Sequence, residues 1–105
     1  MTYEVVITVK AYDDADTMAR WIKQYSAEKA EDWYFDFYEA AESLQIFPAR
    51  CGLAPESTPE IEVRQLLFNG YRLLFTITET KVLVVHVRHQ KQRRLSPDEL
   101  VIPNL

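Results

Sequence analysis

The sequence predicts an α+β fold in which a pair of helices packs on one face of a mainly antiparallel four-stranded sheet, in the order βααβββ. Three observations support this prediction. A run rich in β-branched residues opens the chain, two amphipathic helical patterns follow it, and three β-prone runs come last. One early strand and three late strands form a single sheet if the helix pair covers one of its faces.

The first strand is predicted in "YEVVITVKA", residues 3–11, because β-branched residues favour strands. The following "DDAD" supplies carboxylates typical of a helix start, so we expect a first helix from Asp14 to about Ser26. Its apolar residues recur at helical spacing: Met18, Ile22 and Tyr25, with Trp21 beside them.

A second amphipathic helix follows at once, with acidic residues around an apolar face. That face comprises Trp33, Phe37, Ala40, Ala41 and Leu44. The stretch "FPARCGLAPESTPE", residues 47–60, holds three prolines and a glycine and is predicted to be a loop. We expect three core residues of the helix, Trp33, Phe37 and Leu44, to pack on the sheet through Leu73, Phe75 and Val85.

The last three strands are predicted in "IEVRQLLF", "YRLLFTIT" and "KVLVVHVRH". The connections "NG" and "ETK" have hairpin length, which indicates an antiparallel meander. Alternation along the third strand assigns Tyr71, Leu73, Phe75 and Ile77 to one face, and Arg72 to the opposite, open face. In the last strand, strict alternation groups Val82, Val84, His86 and Arg88 on one face, and Leu83, Val85, Val87 and His89 on the other.

Charge divides unevenly along the chain, whose formal net charge is −4. Residues 1–45 carry four cationic against ten acidic side chains, a balance of −6, whereas residues 46–105 carry eight against six, a balance of +2. Six of those eight cations are arginines, and the planar guanidinium suits phosphate or carboxylate. The second half therefore holds the candidate anion-recognition residues, although a solvated charged face has the same pattern.

Length and composition predict a single domain over residues 1–105 that buries its own core. Cys51 is the only cysteine, so an internal disulfide or a multi-cysteine zinc site is excluded, and we expect a structural thiol. The start lacks a signal-peptide pattern, and no apolar run approaches the ~20 residues of a membrane span. We therefore expect a cytoplasmic protein that needs no metal or cofactor.

The densest cationic stretch is "HVRHQKQRR", residues 86–94. His86 lies within the predicted strand and is expected to be packed and hydrogen-bonded, whereas Arg88 is expected to point at an anionic group. Lys91, Arg93 and Arg94 continue a basic edge where the chain leaves the sheet. They are expected to bind partner carboxylates or to stay solvated, with nucleic acid as a further alternative.

Four fragments, in this order after a strand and two helices, resemble the RelE/ParE superfamily of toxins from type II toxin–antitoxin modules. They are "FPARCGLAPE", "VRQLLF", "YRLLFTI" and "VLVVHVRHQKQRRL". The resemblance extends from Tyr3 to about Leu95, and "RCGLAPE" with "HVRH" is closer to the ParE branch than to RelE itself. It implies a compact toxin held inactive by a cognate antitoxin, whose extended or helical C-terminal segment wraps it.

Two activities divide this superfamily. RelE-like members cut mRNA in the ribosomal A site without a metal, and ParE-like members bind DNA gyrase and do no chemistry of their own. A relative retained only as an antitoxin-binding module is a third alternative. The resemblance leaves the activity of this chain open.

For mRNA cleavage, a ribose 2′-hydroxyl attacks the adjacent phosphodiester, which requires a base, cations and an acid. The resemblance implies Glu62 as the base, Arg72 and Arg88 as the phosphate-binding cations, and His89 as an acid–base group that titrates near neutrality. The lysine pair that RelE carries on its second strand is absent, and no tyrosine follows Arg88. The nuclease constellation is therefore incomplete.

Binding is the favoured activity because RNA affinity depends on phosphate neutralisation, whereas this chain is net acidic. We expect a ParE-type toxin that acts on a protein such as DNA gyrase, with a ribosome-dependent mRNA endoribonuclease as the alternative. The candidate partner-binding residues are Arg64, Arg88, Lys91, Arg93 and Arg94. Arg64 has a second interpretation, since it can pair with Glu62 or a loop carboxylate, and Arg50 is expected to anchor its loop.

Overall fold

The computed structural model describes residues 2–103, and their helices and strands follow in the predicted βααβββ order. The elements are β1 (Glu4–Ile7), α1 (Val9–Lys23), α2 (Ala27–Glu42), β2 (Arg64–Phe68), β3 (Tyr71–Ile77) and β4 (Lys81–His89). Short 3₁₀ turns occupy Ser43–Gln45, Pro48–Arg50 and Pro97–Glu99. The predicted fold class is confirmed. No helix in this part of the chain is long and apolar enough to cross a bilayer.

The four strands form one sheet in the order β1-β4-β3-β2. Strands β2, β3 and β4 are antiparallel neighbours, and β1 adds to β4 in parallel after the helix pair has crossed over. Asn69 and Gly70 connect β2 to β3 with φ angles of 48° and 82°. Two consecutive positive φ angles match the twist of the flanking strands, which is why "NG" predicted this hairpin.

Helix α1 begins five residues earlier than the expected start at Asp14. Thr8 ends the first strand and caps the helix, since its Oγ1 accepts a hydrogen bond from the Ala11 N–H at 3.3 Å. The buried face of α1 consists of the small residues Ala11, Ala15 and Ala19. The expected apolar face is only partly buried, and Trp21 and Tyr25 are exposed.

The core between helices and sheet contains the predicted aromatic residues of α2. Trp33 and Phe37 stack with ring centroids 5.7 Å apart, and the Trp33 ring also meets Tyr71 of β3. Leu44, Leu73 and Phe75 belong to the same buried cluster, as predicted. Val85 was wrongly assigned to this core, because it is buried on the other face of the sheet.

A β-bulge in β4 explains the misplaced valine. Phe75 pairs with Val84 and Leu74 pairs with His86, so one extra residue is inserted at Val85. An inserted residue reverses the facing of every residue after it. The expected alternation is therefore wrong beyond Val84.

After the bulge, Val87 and His89 lie on the helix side of the sheet, and Arg88 lies beside its register partner Arg72 on the far side. This far side was expected to be open. Instead, the loop before β2 and the C-terminal tail, residues 93–103, cover much of it. Their buried or partly buried residues pack on Leu74, Leu83 and Val85: Ala54, Val63, Leu95, Leu100 and Ile102.

Candidate functional site

Arg72 lies on the sheet face predicted from the strand alternation, but its guanidinium is engaged within the protein. Its Nη1 and Nη2 donate to Glu56 Oε1 and Oε2 at 2.9 and 2.8 Å, and Nη1 also donates to Gln65 Oε1 at 3.0 Å. The side chains are 10% and 0% exposed, respectively, for Arg72 and Glu56. A bidentate carboxylate already occupies the geometry that a phosphate would use.

Glu56 ties the tail to this ion pair. Its Oε2 also accepts the backbone N–H of Leu95 at 3.0 Å. Burial by itself raises the pKa of Glu56, but the hydrogen bonds from Arg72 and from Leu95 outweigh burial and hold that pKa below its usual range. Glu56 is therefore a buried carboxylate that stays ionised and joins three segments of the chain.

Arg88 anchors the tail from the neighbouring strand instead of pointing at an external anion. Its Nη2 donates to the carbonyl of Arg93 at 2.6 Å. Its Nε is buried and has no hydrogen-bond partner within residues 2–103. Arg93 in turn forms a bidentate ion pair with Glu99, at 2.7 and 2.8 Å, and those hydrogen bonds hold the pKa of Glu99 well below its usual range.

His89 lies on the opposite side of the sheet from the two arginines. Its ring meets the Tyr71 ring edge-on, with centroids 5.0 Å apart. The Nδ1 atom accepts the backbone N–H of Lys91 at 3.1 Å, so this nitrogen is used in the turn after β4. Only Nε2 is left for acid–base work.

Glu62 precedes β2 and is mostly exposed. It accepts a hydrogen bond from Arg64 Nη2 at 3.0 Å, which confirms the expected Arg64–Glu62 pair. Arg64 also donates from Nη1 to the backbone carbonyls of Ala49 and Cys51. Arg64 thus fastens the loop to the sheet.

The four nuclease candidates are therefore not brought together. Arg72 and Arg88 are adjacent on one face, and His89 is on the other. Glu62 lies before the start of β2, whereas the β2 partner of Arg72 is Leu67, near the end of that strand. No common point exists where one phosphodiester could contact all four groups.

The five partner-binding candidates divide into two groups. Arg64, Arg88 and Arg93 contact carbonyls or carboxylates of the chain itself. Lys91 and Arg94 are exposed, and their side chains form no ion pair in the described part of the chain. These two cations are the members of the set that are available to a partner.

His86 is a packed, hydrogen-bonded residue, as predicted. Its Nε2 accepts the backbone N–H of Val101 at 2.9 Å, and its Nδ1 lies 3.5 Å from Asp14 Oδ2. Asp14 also accepts the Val87 N–H and pairs with Lys10 at 2.8 Å. Burial raises the pKa of Asp14, but the hydrogen bonds from His86, Lys10 and Val87 outweigh it and leave the pKa lowered.

Sequence reasoning missed Glu56, Asp14 and the tail, which together determine what the far face of the sheet can do. The signal for Glu56 was indirect: a buried arginine requires a carboxylate partner, and the adjoining loop contains several. Arg50 was assigned correctly, since it donates to the carbonyls of Ile46 and Phe47 and to Ser43 Oγ. Cys51 is buried, and burial raises the pKa of its thiol, as expected for a structural cysteine.

The family model described as the ParE toxin of the type II toxin–antitoxin system parDE matches residues 5–94. Among solved structures, a chain titled as the chromosomal ParDE TA system from P. aeruginosa has the same fold, with a TM-score of 0.69 at 20% sequence identity. The alignment covers 84% of this chain and 96% of that one. No curated protein matches the chain. Since the family model spans most of its length, the chain belongs to the ParE toxin family of type II toxin–antitoxin systems.

Proposed function

We propose that the chain is a toxin that is neutralised by a cognate antitoxin and acts by binding a protein target, not by cleaving mRNA. DNA gyrase is the target implied by the resemblance of the sequence to ParE-like toxins. The antitoxin partner is supported by the matched family, whose description names a two-component system, and by the similar fold from a ParDE system.

One observation carries the choice of binding over RNA cleavage. The cation expected to bind the scissile phosphate, Arg72, is buried in a bidentate pair with Glu56. A phosphate would have to displace a carboxylate that is itself fully buried, and separating such a pair is costly. The positions of His89 and Glu62 add to this, because neither lies beside Arg72.

The antitoxin is expected to contact the two available cations, Lys91 and Arg94. An acidic antitoxin segment would be attracted to them, and complementary charge increases association rates. Arg88 and Arg93 support this surface from below by fixing the tail backbone beside it.

The test is inducible expression of the chain with and without the antitoxin encoded beside its gene. The proposal predicts growth arrest without the antitoxin, rescue with it, and inhibition of gyrase-catalysed supercoiling by the purified chain. Arrest without gyrase inhibition would replace gyrase by another protein target. Absence of arrest would contradict the toxin function and favour an inactive antitoxin-binding relative.

The charge contribution has its own variants. The substitutions Lys91→Glu and Arg94→Glu should slow antitoxin association and reduce its salt dependence. Lys23→Glu, at the far end of α1, is the matched control and should leave the rate unchanged. Equal effects from all three would exclude a specific role for the basic edge.

A further inference from the structure

Strand β1 is an edge of the sheet, and one side of its backbone is open. The N–H groups of Glu4 and Thr8 donate to Thr80 and Val84, both at 3.0 Å, so residues at even positions face β4. The backbone groups of Val5 and Ile7 therefore point outward. Tyr3 also points outward, and its N–H donates to the Gln45 carbonyl at 2.8 Å.

The contact with Gln45 is part of a short antiparallel bridge between Thr2 and Ile46. Beyond it, no segment within residues 2–103 pairs with the outer side of β1. The chain thus begins an added strand along this edge and then turns away. What remains is an open ladder at Val5 and Ile7.

A cavity lies on each side of this open ladder. On the helix side, a cavity of about 480 Å³ is lined by Tyr3, Val5 and Ile7 of the strand and by Tyr12 and Tyr38 of the helices. On the tail side, a second cavity of about 300 Å³ has an almost wholly apolar lining that includes Val6, Val9, Val101 and Pro103.

An added β-strand fits these features together. Successive side chains of a strand point to opposite faces, so its neighbouring residues would enter the two cavities alternately. Its backbone would pair with Val5 and Ile7, which is how extended peptides bind sheet edges. We propose that an extended segment of the cognate antitoxin adds to β1 as a fifth strand, with apolar residues alternating into the two cavities.

The turn beside this edge presents further apolar surface. Phe47 has φ 48° and is 67% exposed, and Ile46 before it is also exposed. A bulky residue in the left-handed region is strained, and such strain persists only where the surroundings hold it. Arg50 does so here by binding the carbonyls of both residues. The turn therefore holds an aromatic side chain in solvent at the start of the open edge.

Charge distinguishes an antitoxin segment from a second copy of this chain. Glu4 and Glu42 line the helix-side cavity, and neither forms an ion pair in the part of the chain that the structure describes. Two copies meeting at β1 would bring these carboxylates to one interface, where like charges repel. An antitoxin segment with a lysine or arginine among its apolar residues would pair with them.

This inference rests on the proposed function, because it names where the antitoxin is held. The direct test is residue-resolved amide exchange of the chain alone and in complex with the antitoxin encoded beside its gene. Strand addition predicts that the Val5 and Ile7 amides exchange at least about tenfold more slowly in the complex. The Val6 amide, which faces β4, is the internal control and should be protected in both states.

Matched substitutions provide a second readout. Tyr38→Asp places a charge in the helix-side cavity, and Tyr25→Asp changes an exposed tyrosine at the far end of the helix pair. Glu42→Lys reverses the cavity charge, and Glu31→Lys reverses an exposed charge elsewhere on α2. The two cavity variants should raise the dissociation constant of the antitoxin by about tenfold or more, and the two controls should not change it.

The outcomes separate the two proposals. If no complex forms with the antitoxin, the proposed function fails and strand addition fails with it. If the complex forms while Val5 and Ile7 stay unprotected, strand addition is overturned and the proposed function survives. Wild-type affinity of both cavity variants, with their folds intact by circular dichroism, would also overturn it.

Discussion

Arg72 on β3 and Glu56 in the preceding loop form a buried bidentate ion pair, with donor–acceptor distances of 2.9 and 2.8 Å. The pair closes the sheet face on which RNA chemistry was expected. Because Glu56 also accepts the Leu95 N–H, the same pair holds the start of the C-terminal tail. Arg88 and His86 hold the tail at two further points, the Arg93 carbonyl and the Val101 N–H.

The first prediction concerns the stability supplied by this ion pair. Glu56→Gln leaves a buried guanidinium without its counter-charge, and the loss of one partner of a buried pair costs about 3–5 kcal/mol in unfolding free energy. Glu62→Gln, which removes an exposed partner of Arg64, should cost at most about 1 kcal/mol. Urea denaturation of both variants gives the comparison. Similar losses would show that the buried pair is not a main source of stability.

Acid should destabilise the protein through its buried carboxylates. Glu56 and Asp14 have pKa values lowered in the folded state, so each contributes stability that is complete above its unfolded pKa and is lost as pH falls through the folded value. The unfolding free energy should therefore decline below about pH 4.5. Denaturation curves between neutral pH and pH 3 measure this decline, and Glu56→Gln should make it shallower. A variant with an unchanged slope would contradict the assignment to Glu56.

His86 should stabilise the tail through a single acceptor atom. His86→Leu removes the partner of the Val101 N–H, and an unsatisfied buried donor costs about 1–3 kcal/mol. The Val101 amide should then exchange faster with solvent. His89→Leu is the matched control, because His89 does not contact the tail. Unchanged exchange at Val101 in the His86 variant would show that the tail is held by its apolar contacts alone.

Gly70 should be required for its conformation and not for space. Its φ is +82°, and a Cβ there would have no atom within 4 Å, so Gly70→Ala should cost about 1 kcal/mol through backbone strain. Gly52 has equally open surroundings without a positive φ, and Gly52→Ala should be close to neutral. Chemical denaturation of the pair checks the difference. Equal stabilities would contradict a strained turn.

The fold was predictable because its signals are local. Alternation along β3, the "NG" turn and the aromatic face of α2 each depend on residues a few positions apart. The start of α1 was misplaced because "DDAD" is a strong helix-start pattern, whereas a single threonine at Thr8 provides the actual cap. Both are local signals, and only packing of the alanine face on the sheet decides between them.

The candidate site was less predictable because it depends on contacts distant in the chain. The bulge at Val85 changes which face His86, Arg88 and His89 occupy, and the continuous apolar run "VLVV" contains no alternation that could reveal it. The pairing of Arg72 with Glu56 spans a loop without regular structure. Charge and residue type identified these side chains, but their partners follow from the tertiary fold.

The most direct test of binding as the activity is a map of mRNA 5′ ends during expression of the chain without its antitoxin. The account predicts growth arrest with no new cleavage ends, and the same arrest from His89→Ala and Glu62→Gln. New ends that appear with the wild-type chain and disappear with His89→Ala would contradict it, since loss of an acid–base group typically lowers a rate by ~10²–10⁴.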